Sequence, residues 1–244
     1  MTVILLAAGV GKRFGRATQR LPKCLIPIGP DKITLLDRYL DSFRKLALKK
    51  IVMVVGHEKE KIMKACQSKG KGFRFTFVTN QEYRKGSILS LYLAFSRLRR
   101  DDCLVMDADV FFPTSALKRL LDSKHQSSFL IDSENQSTGE EMMIQSKNGR
   151  PYSISKTLSP SLRILGESVG FFKISGKDTA RLKRILKNSV EKGEIDQEYE
   201  ASYNVLIKKI KVGFEKMDGL FWTEMDFKKD LEKILKATRN PTKL

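Results

Sequence analysis

The residues able to do chemistry gather at three places in the chain. The first is Leu6-Ala7-Ala8-Gly9-Val10-Gly11-Lys12-Arg13-Phe14-Gly15, followed by Pro22-Lys23-Cys24-Leu25. An apolar run of strand length ends there in two alanines and two closely spaced glycines. Small residues let backbone N–H groups approach a ligand closely, and successive N–H groups in such a turn make a concavity for an anion. Lys12, Arg13 and Lys23 add three cations, a set suited to a triphosphate. The spacing is not that of GxxxxGK[ST], and the third glycine of a GxGxxG fingerprint is displaced to Gly15, so neither of those phosphate loops is read here.

The second place is Leu104-Val105-Met106-Asp107-Ala108-Asp109, an apolar strand ending in two carboxylates. The carboxyl end of a strand in an open α/β sheet is where ligands bind, and carboxylate oxygens suit Mg²⁺. The third is Glu224-Met225-Asp226, with Asp230 in the first turn of a closing helix. Asp226 can cap that helix, serve the site, or do both; Glu224 is expected to face away. Asn80 and Gly86-Ser87 lie where a strand passes into a helix, whose first N–H groups are free. Lys156 and Glu167 follow in the second half. Tyr92, Phe111, Phe172 and Trp222 either line a box for a quaternary ammonium group or fill the core. His57 and His125 belong to no motif and are expected in surface or turn roles.

These residues need elements to hold them. Strand patterns at 2–7, 51–55, 73–78 and 103–106 alternate with helical patterns at 33–48, 58–66, 87–98 and 114–121, with Thr114 or Ser115 as the cap of the last. Such alternation predicts a doubly wound parallel sheet. Strands are then expected at 129–132, 141–146, 152–156 and 168–174, with a hairpin turn at Asn148-Gly149. Basic helices at 177–192 and 197–209, a strand at 212–216 and a helix at 226–236 complete the chain, and residues 239–244 are expected to fray. No linker separates the halves. One domain, 1–244, is expected: about 1–125 as a nucleotide half and about 126–244 as the half that shapes an acceptor pocket.

The 244 residues carry a net charge of +18, with 41% hydrophobic and 30% charged residues. This is a globular composition, and its charge attracts polyanions. The N-terminal apolar run lacks the flanks of a signal peptide, no run reaches membrane-span length, and three scattered cysteines make neither a disulfide framework nor a zinc site. The expected location is the cytoplasm. Specific nucleic-acid binding is not expected, because the basic residues are not interleaved with aromatics. The basic helices do suit peripheral contact with an anionic membrane. Nothing in the sequence sets the oligomeric state.

LAAGVGKRF followed by LPKCL resembles the signature of the nucleotidyltransferases that make nucleotide-activated sugars and alcohols, and the likeness runs from Leu5 to Leu231. It implies a Rossmann-like, mainly parallel mixed sheet of the nucleotidyltransferase (glycosyltransferase-A-like) type. It further implies that Leu6, Ala7, Ala8, Gly9, Gly11 and Lys12 hold the nucleotide, Lys12 at a variable position, and that Arg13 and Lys23 act catalytically on the phosphates. Asp109 aligns with the family's metal-binding aspartate and Asp226 with its second, so both are implied Mg²⁺ ligands, with Asp107 beside them on the nucleotide. Asn80, Gly86 and Ser87 are implied to read base and ribose. Lys156, Glu167, Tyr92 and Trp222 are implied on the acceptor side. The Ser-Leu-Tyr wording at 90–92 resembles the cytidylyltransferases of phosphocholine, inositol phosphate and phosphonates. CTP and a small phosphorylated alcohol are therefore the expected substrates; a sugar-1-phosphate with UTP, GTP or dTTP is the alternative, and a non-catalytic binder of nucleic acid or anionic surfaces the more remote one.

Overall fold

The structure is a computed structural model that describes residues 1–135 and 137–239. The tail expected to fray lies, from 240 onward, outside the described residues.

The first half follows the alternation. Strands β1 (Thr2–Ala7), β2 (Lys50–Val55), β3 (Arg74–Thr79) and β4 (Cys103–Asp107) are separated by helices α1 (Leu35–Lys45), α2 (Lys59–Lys69) and α3 (Ile88–Ser96). β1 pairs in parallel with both β2 and β4, and β2 with β3. Alternate residues of β1 therefore point to opposite faces. Val3 and Leu5 join the core under α1, whereas Ile4 joins the core under α3. Helix α1 starts at a capping box: Asp37 N–H donates to the Thr34 hydroxyl, and the Asp37 carboxylate accepts from Thr34 N–H. Its apolar face, Leu35, Leu36, Tyr39, Leu40 and Phe43, is fully buried. Each such side chain contributes about 1.5–3 kcal/mol by leaving water.

A short strand β5 (Val110–Phe111) and helix α4 (Thr114–Leu121) lead into the second half. Neither Thr114 nor Ser115 caps α4. Pro113 holds that position, and the Thr114 hydroxyl meets the Ser42 hydroxyl of α1 at 2.9 Å instead. Then come β6 (Ser128–Asp132), β7 (Met143–Lys147), β8 (Arg150–Ser155), β9 (Arg163–Ile174), α5 (Gly176–Glu191), α6 (Glu200–Leu206), β10 (Gly213–Lys216), β11 (Thr223–Glu224) and α7 (Lys228–Arg239). The β7–β8 turn has Asn148 at φ 53° and Gly149 at φ 73°, the left-handed pair that a two-residue hairpin turn requires.

The nine-stranded mixed sheet has the main order β10-β6-β9-β4-β1-β2-β3. β9 runs antiparallel to both β4 and β6, while β10 is parallel to β6. The fold is thus the expected α/β architecture, parallel except for β9 along its main path. β7 and β8 pair off that path, and β11 and β5 form a separate two-stranded antiparallel sheet. The three cysteines are free and buried. Among the described residues no helix is long and apolar enough to cross a membrane.

Candidate active site

β1 and β4 end side by side, and the loops leaving them form one wall of a cleft of about 900 Å³. The loop after β1 winds through three short 3-10 turns, Lys12–Phe14, Arg16–Gln19 and Lys23–Leu25. Its shape is held from within. Gly11 takes φ 65°, and the Thr18 hydroxyl reaches the carbonyls of Gly11 (2.8 Å) and Gly15 (3.0 Å). The His57 ring Nε2 contacts the Thr18 carbonyl at 2.9 Å, so this histidine has the turn role expected of it. A Cβ on Gly11 would lie 2.9 Å from Cγ of Lys23, so this glycine makes room for the lysine stem. Gly9 has no atom within 4 Å of an added Cβ and opens onto the cleft. Ala7, Gly11 and Lys12 are not among the residues that line it.

The corner after β4 is anchored from several sides. Ala108 N–H donates to the Leu6 carbonyl (3.1 Å), and the Tyr39 hydroxyl of α1 donates to the Asp107 carbonyl (2.5 Å). β11 lies against β5 with Glu224 opposite Val110, and Met225 N–H donates to the Asp109 carbonyl (2.8 Å). This small sheet brings Asp226 to Asp109. Lys23 Nζ stands 2.6 Å from Asp109 Oδ2 and 2.5 Å from Asp226 Oδ1, and Arg13 pairs with the other oxygen of Asp226 at 2.5 Å. Burial opposes the charge on Lys23, but Asp109 and Asp226 outweigh it and hold the ammonium's pKa above its ordinary value. Asp226 is not the cap of α7. Asp230, in the first turn of the helix, secures its start instead: its carboxylate accepts from Phe227 N–H at 2.8 Å.

Asp107 lines the same cleft but makes no ion pair with this quartet. Its carboxylate accepts from the Tyr199 hydroxyl (2.6 Å), and burial, with Asp109 nearby, pushes its pKa well up. Gly170, at φ 77°, leaves room for it: a Cβ there would lie 2.5 Å from Asp107 Oδ2. Glu224 does not face away. It lines the cleft, and burial together with Asp109 and Asp226 pushes its carboxyl up to about 8. Glu200, which no sequence motif marks, also lines the cleft and is pushed up to about 7 by burial. The signals for both lie in tertiary surroundings.

The remaining expected residues divide. Ser87 lines the cleft, and its hydroxyl donates to Glu198. Asn80 is buried with both polar ends used: Nδ2 donates to Ser90 Oγ and Oδ1 accepts from Glu82 N–H, each at 2.9 Å. Gly86 lies against the backbone of 196–197, where a Cβ would meet the Gln197 carbonyl at 2.0 Å. These two positions build the turn rather than face the cleft. Lys156 and Glu167 line the cleft; Lys156 is 3.8 Å from Glu140, and Glu167 accepts from Asn135 Nδ2 at 2.7 Å. The aromatic box does not form. Phe111 and Trp222 pack with the core under α1, Phe172 and Tyr92 with the core under α3, so the sheet separates them. Only Trp222 of the four lines the cleft, its indole N–H donating to Asp132 (2.7 Å).

Ten carboxylate residues and four cationic ones line the cleft, an acidic interior in a chain of charge +18. No three His, Cys, Asp or Glu side chains among the described residues gather as a metal-holding group. Asp109 and Asp226 nevertheless fit a magnesium ion: an oxygen of each lies within 2.6 Å of one shared cationic atom, and Mg²⁺ binds through one or two carboxylates with water and phosphate filling the rest.

A family model for the MobA-like NTP transferase domain matches residues 3–177. The chain belongs to that family. It is 24% identical over 241 residues, 96% of its length, to the bifunctional IPC transferase and DIPP synthase of Aquifex aeolicus, and 37% identical over 113 residues, 45% of its length, to choline-phosphate cytidylyltransferase of Haemophilus influenzae. It spans only 51% of the first relative's length, and the match to the second covers 44% of that protein. The inositol-1-phosphate CTP transferase of T. maritima superposes with a TM-score of 0.78 at 20% identity, covering 98% of this chain and 94% of that one. The CTP:phosphocholine cytidylyltransferase of Streptococcus pneumoniae gives 0.75 at 19% identity, covering 97% and 98%. Both share the fold of this member of the MobA-like family.

Proposed function

We propose that this chain transfers a nucleotidyl group from CTP to a small phosphorylated alcohol or phosphonate, releasing pyrophosphate. The observation that carries the reading is the convergence of Asp109, Asp226, Lys23 and Arg13 beside the open backbone at Gly9. The relatives named for CTP and phosphorylated alcohols support the choice of substrates.

In this reading an acceptor phosphate oxygen attacks the α-phosphorus of the triphosphate, and the bond to the pyrophosphate oxygen breaks. The nucleophile is already an anion at neutral pH, so the site needs no general base, in keeping with the absence of histidine from the cleft lining. The backbone around Ala8 and Gly9 would admit the nucleotide, and Arg13 and Lys23 would neutralise charge that builds on the departing pyrophosphate. Asp109 and Asp226 would hold Mg²⁺, which would supply positive charge to the phosphates. Catalysis is then positioning plus electrostatics.

On the acceptor side, Glu167, Glu141 and Glu200 share the cleft with Trp222. That acidic wall supports an acceptor carrying an amino or quaternary ammonium group ahead of an inositol phosphate or a hexose-1-phosphate. The test is pyrophosphate release from CTP, UTP, GTP, ATP and dTTP with Mg²⁺, each against phosphocholine, phosphoethanolamine, aminoethylphosphonate, inositol phosphate and hexose-1-phosphates. Release with CTP and an amino-alcohol phosphate is expected. Release only with a sugar phosphate would keep the chemistry and overturn the acceptor.

A further inference from the structure

The opposite end of the sheet holds a second cavity, of about 780 Å³, where β1 begins and β9 ends. One six-residue strand separates it from the cleft, a distance of about 15–20 Å at the ordinary rise of a strand. Five cations line it: Arg100, Lys173, Lys177, Arg181 and Arg184. They come from three elements. Gly176 lets the first turn of α5 sit on the Arg100 backbone, since a Cβ there would lie 2.2 Å from the Arg100 carbonyl. The one carboxylate in the lining, Asp102, is engaged by Gly176 N–H at 2.6 Å. None of the five cations has a carboxylate within ion-pairing distance among the described residues.

Lys173 gives an independent indication. It is only 7% exposed, on a strand, and its ammonium donates solely to the carbonyls of Leu121 (3.2 Å) and Ser123 (2.8 Å). Burial lowers the Lys173 pKa although Glu215, Asp122 and Asp102 stand near it without pairing, and an anion in the adjoining cavity would offset the remaining cost. Three arginines add the planar forks that match phosphate oxygens. We propose that this cavity binds a multiply charged phosphate group, carried either by a soluble phosphorylated ligand or by a lipid headgroup. The inference does not depend on the reaction proposed for the cleft.

Calorimetry with tripolyphosphate would compare the natural chain with Lys177→Glu/Arg184→Glu, both exposed, and with Arg100→Glu on a separate element. Co-sedimentation with phosphatidylcholine vesicles, with and without phosphatidic acid, would run in parallel. Tripolyphosphate binding that weakens about tenfold or more in both variants is expected, because each reversal removes an attraction and adds a repulsion. Phosphatidic-acid-dependent sedimentation of the natural chain, lost in the variants, would assign the group to lipid. Its absence alongside tripolyphosphate binding would assign the group to a soluble ligand. Equal behaviour of natural chain and variants toward both probes, or no binding of either, would overturn the site whatever the cleft catalyses.

Discussion

Lys23 closes the gap between Asp109 and Asp226, its Nζ 2.6 Å from one carboxylate and 2.5 Å from the other. The three residues come from the loop after β1, the corner after β4 and the segment before α7. The ammonium thus sits between two acids proposed to hold a metal ion, with Arg13 on the outer oxygen of Asp226. Lys23→Ala is expected to lower turnover about 100-fold or more, the scale of removing one preorganised charge. The same variant should bind Mn²⁺ more tightly than the natural chain when no nucleotide is present, because the competing cation is gone. Weaker Mn²⁺ binding, measured by calorimetry, would show that the ammonium and the metal do not share those oxygens.

The role proposed for Asp226 in the cleft and the hold of Asp230 on the start of α7 can be tested apart. Asp230→Asn should cost stability of about 1 kcal/mol, typical of a weakened cap, with turnover largely kept. Asp226→Asn should do the reverse, with turnover falling about 100-fold and the melting temperature changing little. The pair of variants needs only a melt and a rate assay.

The two glycines after β1 have different tasks. Gly11→Ala meets both a positive φ and the Lys23 stem, so it should lower stability by about 1 kcal/mol or more and displace the lysine, with a loss of turnover. Gly9→Ala has open space around it and should leave the melt unchanged. It should raise the KM for the triphosphate, since the added methyl stands where the backbone is to be approached. An unaltered KM would remove Gly9 from the nucleotide contact.

Asn80→Ala tests a position that sequence likeness puts on the base. Both of its polar ends are satisfied inside the protein, so its loss leaves buried partners unpaired at about 1–3 kcal/mol. Denaturant unfolding should reveal that loss, while preference among CTP, UTP and GTP stays the same. A changed preference would return Asn80 to the nucleotide.

Glu200 makes stability depend on pH. Its carboxyl titrates at about 7 when folded, against 4.5 ordinarily. Below 4.5 the proton is on in both states and the folded form keeps its full advantage. As pH rises through 7 the folded state must ionise a buried acid, and that contribution is lost. Stability of the nucleotide-free chain should therefore fall between pH 5 and 8, and Glu200→Gln should flatten that slope in denaturant unfolding.

The sequence by itself determined the alternating strands and helices of the first half, because period-2 and period-3.6 apolar patterns report which faces are buried. It also marked the loop at 6–23 as a candidate phosphate loop, since its glycines and cations carry that chemistry locally, and Asp109 as a carboxylate at a strand end, while Asp226 was singled out by the family resemblance. Only the tertiary structure decided the rest. The β5–β11 pairing, formed by two residues from each side, was too short to leave a periodic trace, yet it carries Asp226 to Asp109 and turns Glu224 into the cleft. The aromatic box failed because sequence shows that four rings are apolar but not which side of the sheet each one occupies. Basic residues at Arg100, Lys173 and along α5, scattered in sequence, share one cavity because β9 returns antiparallel beside β4 and delivers α5 to the far edge. Composition reports the number of charges; the path of the chain sets an acidic cleft at one end of the sheet and a basic cavity at the other.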